Sequence, residues 1–402
     1  MKKLNGGVCA LEDVLASGLH AGFKQQKKDL GLLYFPKGVK VAGVFTKNAI
    51  QSHHIKYDQA LLRQNHSFKA ILTNSGNANT CNGVVGDETV LQMVNTLART
   101  LKIQADEVLV CSTGVIGVPM NLNDFDKKCA RLVCQLTKED SLSAVEAMMT
   151  TDTFAKQLAY EFKVGNKTVK IAGITKGAGM IHPNLGTMLA YLVTDADLEQ
   201  AQLHSLLKDV VGDSFNCLTV DGDTSPNDTV FLASTGKVKI TWNDETLAGF
   251  YRGLLELSQE LTRLMAKDGE GATKFVEVIV KCAQTHADAL KIAKGVATSN
   301  LVKTALYGQD ANWGRIISAI GQSQPEYLQA DKIAIAFESE AGYVQVCKHG
   351  VGLPFDETQA LAVMSEQSVT IIIDLGLGVS NSKVWTCDMS LDYIKINADY
   401  RS

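Results

Sequence analysis

The sequence predicts a layered α/β protein (α+β in character), because runs typical of strands and segments typical of helices are intermixed along the whole chain. Some of the strand-like runs alternate apolar with polar residues. Others are apolar throughout, as in a sheet covered on both faces. No low-complexity tract, solenoid repeat or proline-rich linker interrupts this pattern, and the chain has only 6 prolines. Composition alone marks no domain boundary.

Ten short runs are predicted as strands because β-branched and other apolar residues dominate them. In chain order they lie at 41–46, 69–74, 108–114, 168–175, 187–194, 274–283, 332–339, 342–348, 368–376 and 382–389. Five longer segments are predicted as helices because their apolar residues recur at spacings of three and four. In chain order these lie at 87–101, 141–162, 195–211, 244–267 and 287–308.

Composition narrows the class of protein. The 402 residues suit two ordinary domains or one large layered unit, and a hydrophobic content of 46% is enough for a sizeable core. The net charge of −4 gives no basic footprint, so nucleic acid is not an expected partner. The first residues lack the apolar core of a secretory signal, and no apolar run is long enough to cross a bilayer. The 9 cysteines are scattered without a CxxC pair, as is typical of reduced thiols. A soluble, cytoplasmic protein without membrane contact is expected.

Small polar loops predict where a site lies. Five segments rich in Gly, Asn, Asp and Thr lie at the ends of predicted elements, at 74–83, 112–117, 220–229, 267–275 and 307–315. Glycine in such loops lets backbone amides face a ligand, and loops held by a scaffold are where sites are commonly built. The sequence therefore indicates a site assembled from several loops.

Several familiar chemistries lack their motifs. The chain has no GxxxxGK[ST] phosphate loop, no GxSxG elbow and no HExxH metal pair, and GLGVSN at 376–381 is an incomplete dinucleotide fingerprint. Asp221, Asp223 and Asp228 resemble a carboxylate metal cluster, but a turn held by Asp and Asn side chains is the favoured interpretation. We therefore expect no metal and no bound cofactor.

Thr187 stands between Gly186 and an apolar run, in KGAGMIHPNLGTMLAYLVTDA at 176–196. The simplest interpretation is a strand that begins with a β-branched residue. The chemical interpretation is that the bond before Thr187 is cut, because a new α-amine, with a reference pKa of about 8, takes the hydroxyl proton at neutral pH. Gly186 leaves its carbonyl open to attack by that hydroxyl.

A second motif offers hydrogen-bond donors that the reaction of such a nucleophile needs. In STGVIG at 112–117, Thr113 and the backbone N–H of Gly114 are candidate donors to the oxyanion of a tetrahedral intermediate. The alternative is an ordinary turn.

These motifs together resemble the glutamate N-acetyltransferases, also called ornithine acetyltransferases. The resemblance runs from AGVFTKN at 42–48 to the last residue and rests on segments that occur in the family's order: 112–117, 149–156, 176–196, 221–229, 269–275, 308–315 and 396–402. It implies transfer of the acetyl group from N2-acetyl-L-ornithine to L-glutamate in the cyclic route to arginine. It also implies an αββα sandwich of the DmpA/ornithine-acetyltransferase type, with self-processed, interwoven chains in an α2β2 or larger assembly.

The resemblance also assigns roles to residues. It makes Thr187 the nucleophile freed by cleavage after Gly186, which divides the chain into an α chain, 1–186, and a β chain, 187–402. It assigns the stabilisation of the oxyanion to Thr113 and Gly114. The positions that it assigns to substrate binding are Thr150, Lys176, Thr187, Glu270, Asn397 and Ser402.

Each binding assignment has a physical reason. Lys176 suits the α-carboxylate that ornithine and glutamate share, and Glu270 suits the side-chain ammonium of ornithine. Asn397 and Ser402 suit hydrogen bonds to a carboxylate or amide. The chain departs from the family in two places: Gly186 replaces the usual alanine, preceded by leucine instead of methionine, and the last residue, Ser402, replaces threonine.

Three alternatives stay open. An amidohydrolase or aminopeptidase would use the same threonine with water as acceptor, and a binding protein would keep the fold without processing or chemistry. Some family members also use acetyl-CoA as donor, and the sequence leaves this second activity open.

Overall fold

A computed structural model of the chain describes residues 1–64, 66–182 and 188–399. The described residues form fifteen strands: β1 (Lys2–Lys3), β2 (Leu15–Leu19), β3 (Leu30–Phe45), β4 (Phe68–Asn77), β5 (Val108–Val115), β6 (Lys156–Val164), β7 (Lys167–Lys176), β8 (Leu189–Ala196), β9 (Thr229–Val238), β10 (Phe275–Ala283), β11 (Ala334–Ser339), β12 (Gly342–Lys348), β13 (Val351–Gly352), β14 (Ser368–Asp374) and β15 (Ser380–Cys387).

The same residues form eleven α-helices: α1 (His53–Leu62), α2 (Gly83–Leu101), α3 (Phe125–Cys134), α4 (Leu142–Met148), α5 (Gln200–Gly212), α6 (Asp244–Lys267), α7 (His286–Thr298), α8 (Asn300–Tyr307), α9 (Trp313–Gln322), α10 (Glu357–Ser365) and α11 (Leu391–Asp399). Short 3₁₀ turns lie at Gly7–Ala10, Ala105–Glu107, Phe215–Cys217 and Ala330–Lys332. Within the described part of the chain, no helix is both long and apolar enough to span a membrane.

The first sheet has the strand order β1-β6-β7-β8-β9-β3-β4-β5, with β2 also paired to β3. The long strand β3 joins its two halves, because its first part pairs with β2 and β4 and its last part pairs with β9. These halves face each other. Ile71 and Leu109 of one half share a buried cluster with Ile174 of the other, and Thr73 hydrogen-bonds Tyr191 across the gap, O to O, at 2.7 Å.

Helices cover the two outer faces of this sandwich. Leu72 on β4 packs in one cluster with Met93 of α2 and with α3. On the opposite side, Leu192 on β8 packs with Leu207 of α5 and Leu257 of α6. The resulting order, helices, sheet, sheet, helices, confirms the predicted layered class and its αββα form.

A second sheet has the order β13-β12-β11-β14-β10-β15 and packs its own apolar cluster against α7, α9 and α10. Its edge strand β15 joins it to the sandwich, because Trp385 and Cys387 belong to the cluster beneath α6. This contact brings the segments before β10 and after β15 next to the sandwich, where the cavity described below lies.

The strands on either side of residues 183–187 belong to the same sheet half. Strand β7 pairs antiparallel with β8, in the register Lys176 opposite Leu189, and β8 pairs parallel with β9, in the register Leu189 opposite Thr229. The predicted chain boundary at 186/187 lies outside the described residues. Strand pairing nevertheless holds the segments before and after it together.

Two predicted helices differ from the structure. The one predicted at 287–308 is divided into α7 and α8 at Ser299, which is extended and caps α8. Residues 141–162, predicted as one helix, form α4 and then β6, which pairs with β1 and β7. β6 forms in place of a helix because buried pairing with two neighbouring strands outweighs helical propensity. The apolar spacing of this segment fits both structures. The helix predicted at 244–267 agrees with α6, whose Asn243 side chain caps the N–H of Thr246 at 2.9 Å.

Candidate active site

A cavity of about 110 Å³ lies between the ends of β5 and β7, the start of β8 and the loop before β9. Every predicted site residue that the structure describes lines it: Thr113, Gly114, Thr150, Lys176, Glu270 and Asn397. The predictions for Gly186, Thr187 and Ser402 lie outside the described residues. The fold therefore brings together residues from five separate segments, while the roles assigned to them stay predictions.

Gly114 ends β5 in a conformation that requires glycine. Its φ is +131°, and a β-carbon there would lie 2.3 Å from the carbonyl carbon of Gly76 on β4. Close contact with β4 thus fixes the course of the chain after Thr113, whose side chain is only 8% exposed. A backbone fixed in this way is what a preorganised donor needs.

Lys176, the last residue of β7, presents a buried ammonium group to the cavity. Its Nζ donates to Thr150 Oγ1 at 3.1 Å, and the side chain is almost entirely enclosed. Burial lowers the pKa of Lys176, and the carboxylates of Asp152 and Asp228 oppose that effect. An enclosed cation of this kind suits a substrate carboxylate.

Asp152 holds two segments of the cavity wall in place. It accepts hydrogen bonds from the backbone N–H of Thr150 at 2.9 Å and of Gly177 at 2.7 Å. The ammonium of Lys156 lies 2.6 Å from Asp152 and 2.5 Å from Asp268, and all three side chains are buried. The sequence interpretation missed this network, although charged residues four apart in TTDTFAK were its visible signal.

The ionisation of Asp152 follows from these contacts. Burial alone raises the pKa of a carboxyl, but the ammonium groups of Lys156 and Lys176 and the bond from Gly177 hold the pKa of Asp152 at about 2. Asp152 therefore carries its charge throughout the neutral range and keeps both lysines oriented.

Glu270 also lines the cavity and is held by side chains. It accepts from Thr151 Oγ1 at 2.6 Å and from Asn397 Nδ2 at 2.8 Å, and its backbone N–H donates to Ala178 O at 2.8 Å. Gly179 allows this approach, because a β-carbon there would lie 2.3 Å from the Glu270 carboxyl. A fixed carboxylate facing the cavity suits a substrate ammonium.

The loop 221–228 contains the three acidic residues for which a metal cluster and a turn were the two interpretations. Asp221 accepts from the backbone N–H groups of Met180 at 2.6 Å and Ile181 at 2.9 Å, and Asp223 N donates to it at 3.2 Å. Asp228 is buried elsewhere, at the cavity. The three carboxylates do not come together, so the turn interpretation fits this segment.

Asn227 ties the same loop to the end of β5. Its Nδ2 donates to Ala78 O and to Ser112 O, both at 2.7 Å, and Thr80 Oγ1 donates to its Oδ1 at 2.9 Å. Asp228 is therefore held next to the Thr113–Gly114 turn.

Within the described ranges, one group of possible metal ligands lies close together: His54, Asp58 and Cys111, whose ligand atoms are within 4.8 Å of one another. None of them lines the cavity. Both ring nitrogens of His54 are hydrogen-bonded, to Ser52 Oγ at 2.9 Å and Thr229 Oγ1 at 3.2 Å. Burial lowers the pKa of His54 to about 3 and raises the pKa values of Asp58 and Cys111, so the cluster is a neutral part of the core.

Known proteins resemble the chain over its full length. The model of the ArgJ family matches residues 15–402. The arginine biosynthesis bifunctional protein ArgJ of Caldanaerobacter subterraneus subsp. tengcongensis is 41% identical over 405 residues, covering 100% of both chains. The glutamate N-acetyltransferase of Methanocaldococcus jannaschii is 39% identical over 408 residues, also covering 100% of both. A crystal structure of the arginine biosynthesis bifunctional protein ArgJ from Bacillus halodurans, 38% identical, covers 53% of this chain and 100% of its own, with a TM-score of 0.49. The two full-length matches include every loop that lines the cavity.

Proposed function

The chain belongs to the ArgJ family, and from that premise we propose that it transfers the acetyl group of N2-acetyl-L-ornithine to L-glutamate. It is an acyltransferase of arginine biosynthesis that acts on small molecules. The two substrates and the covalent route are our proposal. The name of the 39% identical relative, glutamate N-acetyltransferase, supports glutamate as the acceptor.

The observation that carries the proposal is the presence of opposite charges in one small cavity. The ammonium of Lys176 and the carboxylate of Glu270 both line it. Ornithine and glutamate share an α-carboxylate, which Lys176 would bind, while Glu270 would bind the side-chain ammonium of ornithine. Thr113 and Gly114, the proposed oxyanion donors, line the same cavity.

The proposed chemistry is a ping-pong reaction at Thr187. Self-cleavage between Gly186 and Thr187 would leave chains 1–186 and 187–402, with a free α-amine that takes the hydroxyl proton. The hydroxyl oxygen attacks the acetyl carbonyl, the Thr113 and Gly114 donors stabilise the oxyanion, and ornithine leaves. The amine of glutamate then attacks the acetyl ester and releases Thr187.

The test is to incubate the purified protein with acetylornithine, with and without glutamate. We expect sustained release of ornithine, together with N-acetylglutamate, only when glutamate is present. Release at the same rate without glutamate would instead identify an amidohydrolase. A single uncut chain without turnover would identify a binding protein.

Thr187→Ala is expected to abolish both cleavage and turnover. Thr168→Ala, which changes an exposed threonine on β7, is the matched control and should keep both. A Thr187→Ala variant that is still cut into two chains would refute the assignment of the nucleophile.

Two further parts of the proposal have separate tests. An α2β2 assembly of the processed chains predicts a mass of about twice 43.4 kDa in light scattering, and a mass of one chain would contradict it. Use of acetyl-CoA as a second donor predicts N-acetylglutamate from acetyl-CoA and glutamate alone, and a mixture that stays free of it would contradict that activity.

A further inference from the structure

Asp228, the residue before β9, is a buried acid in the cavity and has no role in the ping-pong steps proposed for Thr187. Its side chain lines the cavity and is 2% exposed. Its Oδ2 accepts no hydrogen bond from any described residue. A buried carboxyl oxygen without a partner is costly, so a group that faces a cavity in this state calls for an explanation.

The neighbours of Asp228 tie it to two parts of the cavity. The side chain of the residue before it, Asn227, donates to the O of Ser112, which precedes Thr113 and Gly114 on β5, at 2.7 Å. The residue after it, Thr229, donates from its backbone N–H to Met188 O at 2.8 Å. Asp228 thus lies between the proposed oxyanion donors and the strand that follows the proposed nucleophile.

The charges around Asp228 make its proton exchangeable. Burial raises its pKa well above the ordinary value for a carboxyl, while the ammonium of Lys176 and nearby hydroxyls of Ser225 and Thr46 oppose that effect. Glu270 lines the same cavity. Burial therefore favours the protonated form of Asp228, and a carboxyl in this form can give its proton to a departing amine.

The proposed reaction needs such a group, and the inference rests on that proposed function. Glutamate arrives as an ammonium ion, which has no lone pair and must lose a proton before its nitrogen attacks the ester. Ornithine departs as a neutral amine and must gain a proton. The α-amine of Thr187 passes the hydroxyl proton to the departing nitrogen, which makes it a neutral amine, and later returns a proton from the attacking nitrogen to the oxygen, so it supplies no further proton.

We propose that Asp228 is a catalytic proton carrier between the two halves of the acyl transfer. The protonated carboxyl gives its proton to the amine of departing ornithine, which leaves as an ammonium ion. The resulting carboxylate takes a proton from the ammonium of glutamate. The freed nitrogen lone pair attacks the acetyl ester, the C–O bond to Thr187 breaks, and the oxygen regains its proton from that nitrogen. Asp228 ends each cycle protonated, as it began.

The test compares two acceptors in the Asp228→Asn variant. Asparagine keeps the size of the side chain but does not carry a proton between substrates. With glutamate, we expect turnover to fall about 10²–10⁴-fold, the usual contribution of general acid–base catalysis. Hydroxylamine is already neutral at pH 7 and needs no base, so acetohydroxamate formation from acetylornithine needs Asp228 only in the first half and should fall clearly less than N-acetylglutamate formation.

The pH dependence gives a second readout. The variant should use only the small neutral fraction of glutamate, so its rate should rise about tenfold for each pH unit above neutrality. Asp223→Asn, in the same loop but exposed, is the matched control and should behave as wild type with both acceptors.

An equal loss with both acceptors, or no loss with glutamate, would overturn the role of Asp228. A wild-type protein that forms no N-acetylglutamate would instead overturn the proposed function itself.

Discussion

Replacement of Lys156 by methionine is expected to lower the free energy of unfolding by about 3–5 kcal/mol at pH 7, the usual result of removing one partner from a buried ion pair. The ammonium of Lys156 lies 2.6 Å from Asp152 and 2.5 Å from Asp268, and all three side chains are buried. Methionine fills similar space without charge, so the two carboxylates would lose the cation that they share.

The effect should depend on pH with a definite sign. The pKa of Asp152 is held at about 2, below its ordinary 3.8, which corresponds to a stabilisation of about 2 kcal/mol. That stabilisation is complete above the ordinary pKa and is lost as the pH falls toward 2. Without Lys156, burial favours the neutral acid, so the variant gains stability as the pH falls. The difference between wild type and variant should therefore shrink between pH 7 and pH 4.

Urea denaturation followed by circular dichroism at both pH values measures this difference. Lys163→Met, on the same strand but exposed, is the control and should change stability by less than about 0.5 kcal/mol. A loss below about 1 kcal/mol for Lys156→Met at pH 7, or the same loss at both pH values, would refute the reasoning.

Three further substitutions probe the cavity. Lys176→Met should raise KM for both acetylornithine and glutamate about 10–100-fold, because each loses a charge-assisted bond to its carboxylate; an effect on one substrate alone would contradict a shared carboxylate site. Glu270→Gln, which keeps the size of the side chain, should raise KM for acetylornithine more than KM for glutamate. Initial rates measured with each substrate varied give both KM values, and a larger rise for glutamate would contradict the role of Glu270. Gly114→Ala should abolish turnover and lower the melting temperature, because its β-carbon would lie 2.3 Å from Gly76; a variant with wild-type activity would show that the turn is not fixed.

The sequence predicted those elements whose signals are local. The helix at 244–267 agrees residue for residue with α6, because Asn243 caps it and Asp244 and Glu245 follow at the start. Most predicted strands agree with the structure to within a few residues, but the run predicted at 41–46 is only the end of β3, which begins at Leu30. The segment 141–162 failed because its second half is a strand through pairing with β1 and β7, which no local pattern records.

The difference between local patterns and tertiary packing also explains which site residues the sequence predicted. Motif resemblance identified six residues that the structure brings to one cavity, among them Lys176 and Glu270. It did not identify Asp152 or Asp228. The spacing of Asp152 and Lys156 is visible in the sequence, but their burial also depends on Asp268, which is far away in the chain. The position of Asp228 depends on the pairing of β9 with β8. The burial of these charges is recognisable only when the packing is known.

Intact-mass spectrometry of the active protein tests the central claim most directly, since the claim is that the chain cuts itself to make its own catalyst. We expect two chains, the second beginning Thr-Met-Leu-Ala, and we expect that second chain to gain one acetyl group with acetylornithine and to lose it when glutamate is added. A single uncut chain in fully active material, or an acetyl group on any residue other than Thr187, would contradict the account.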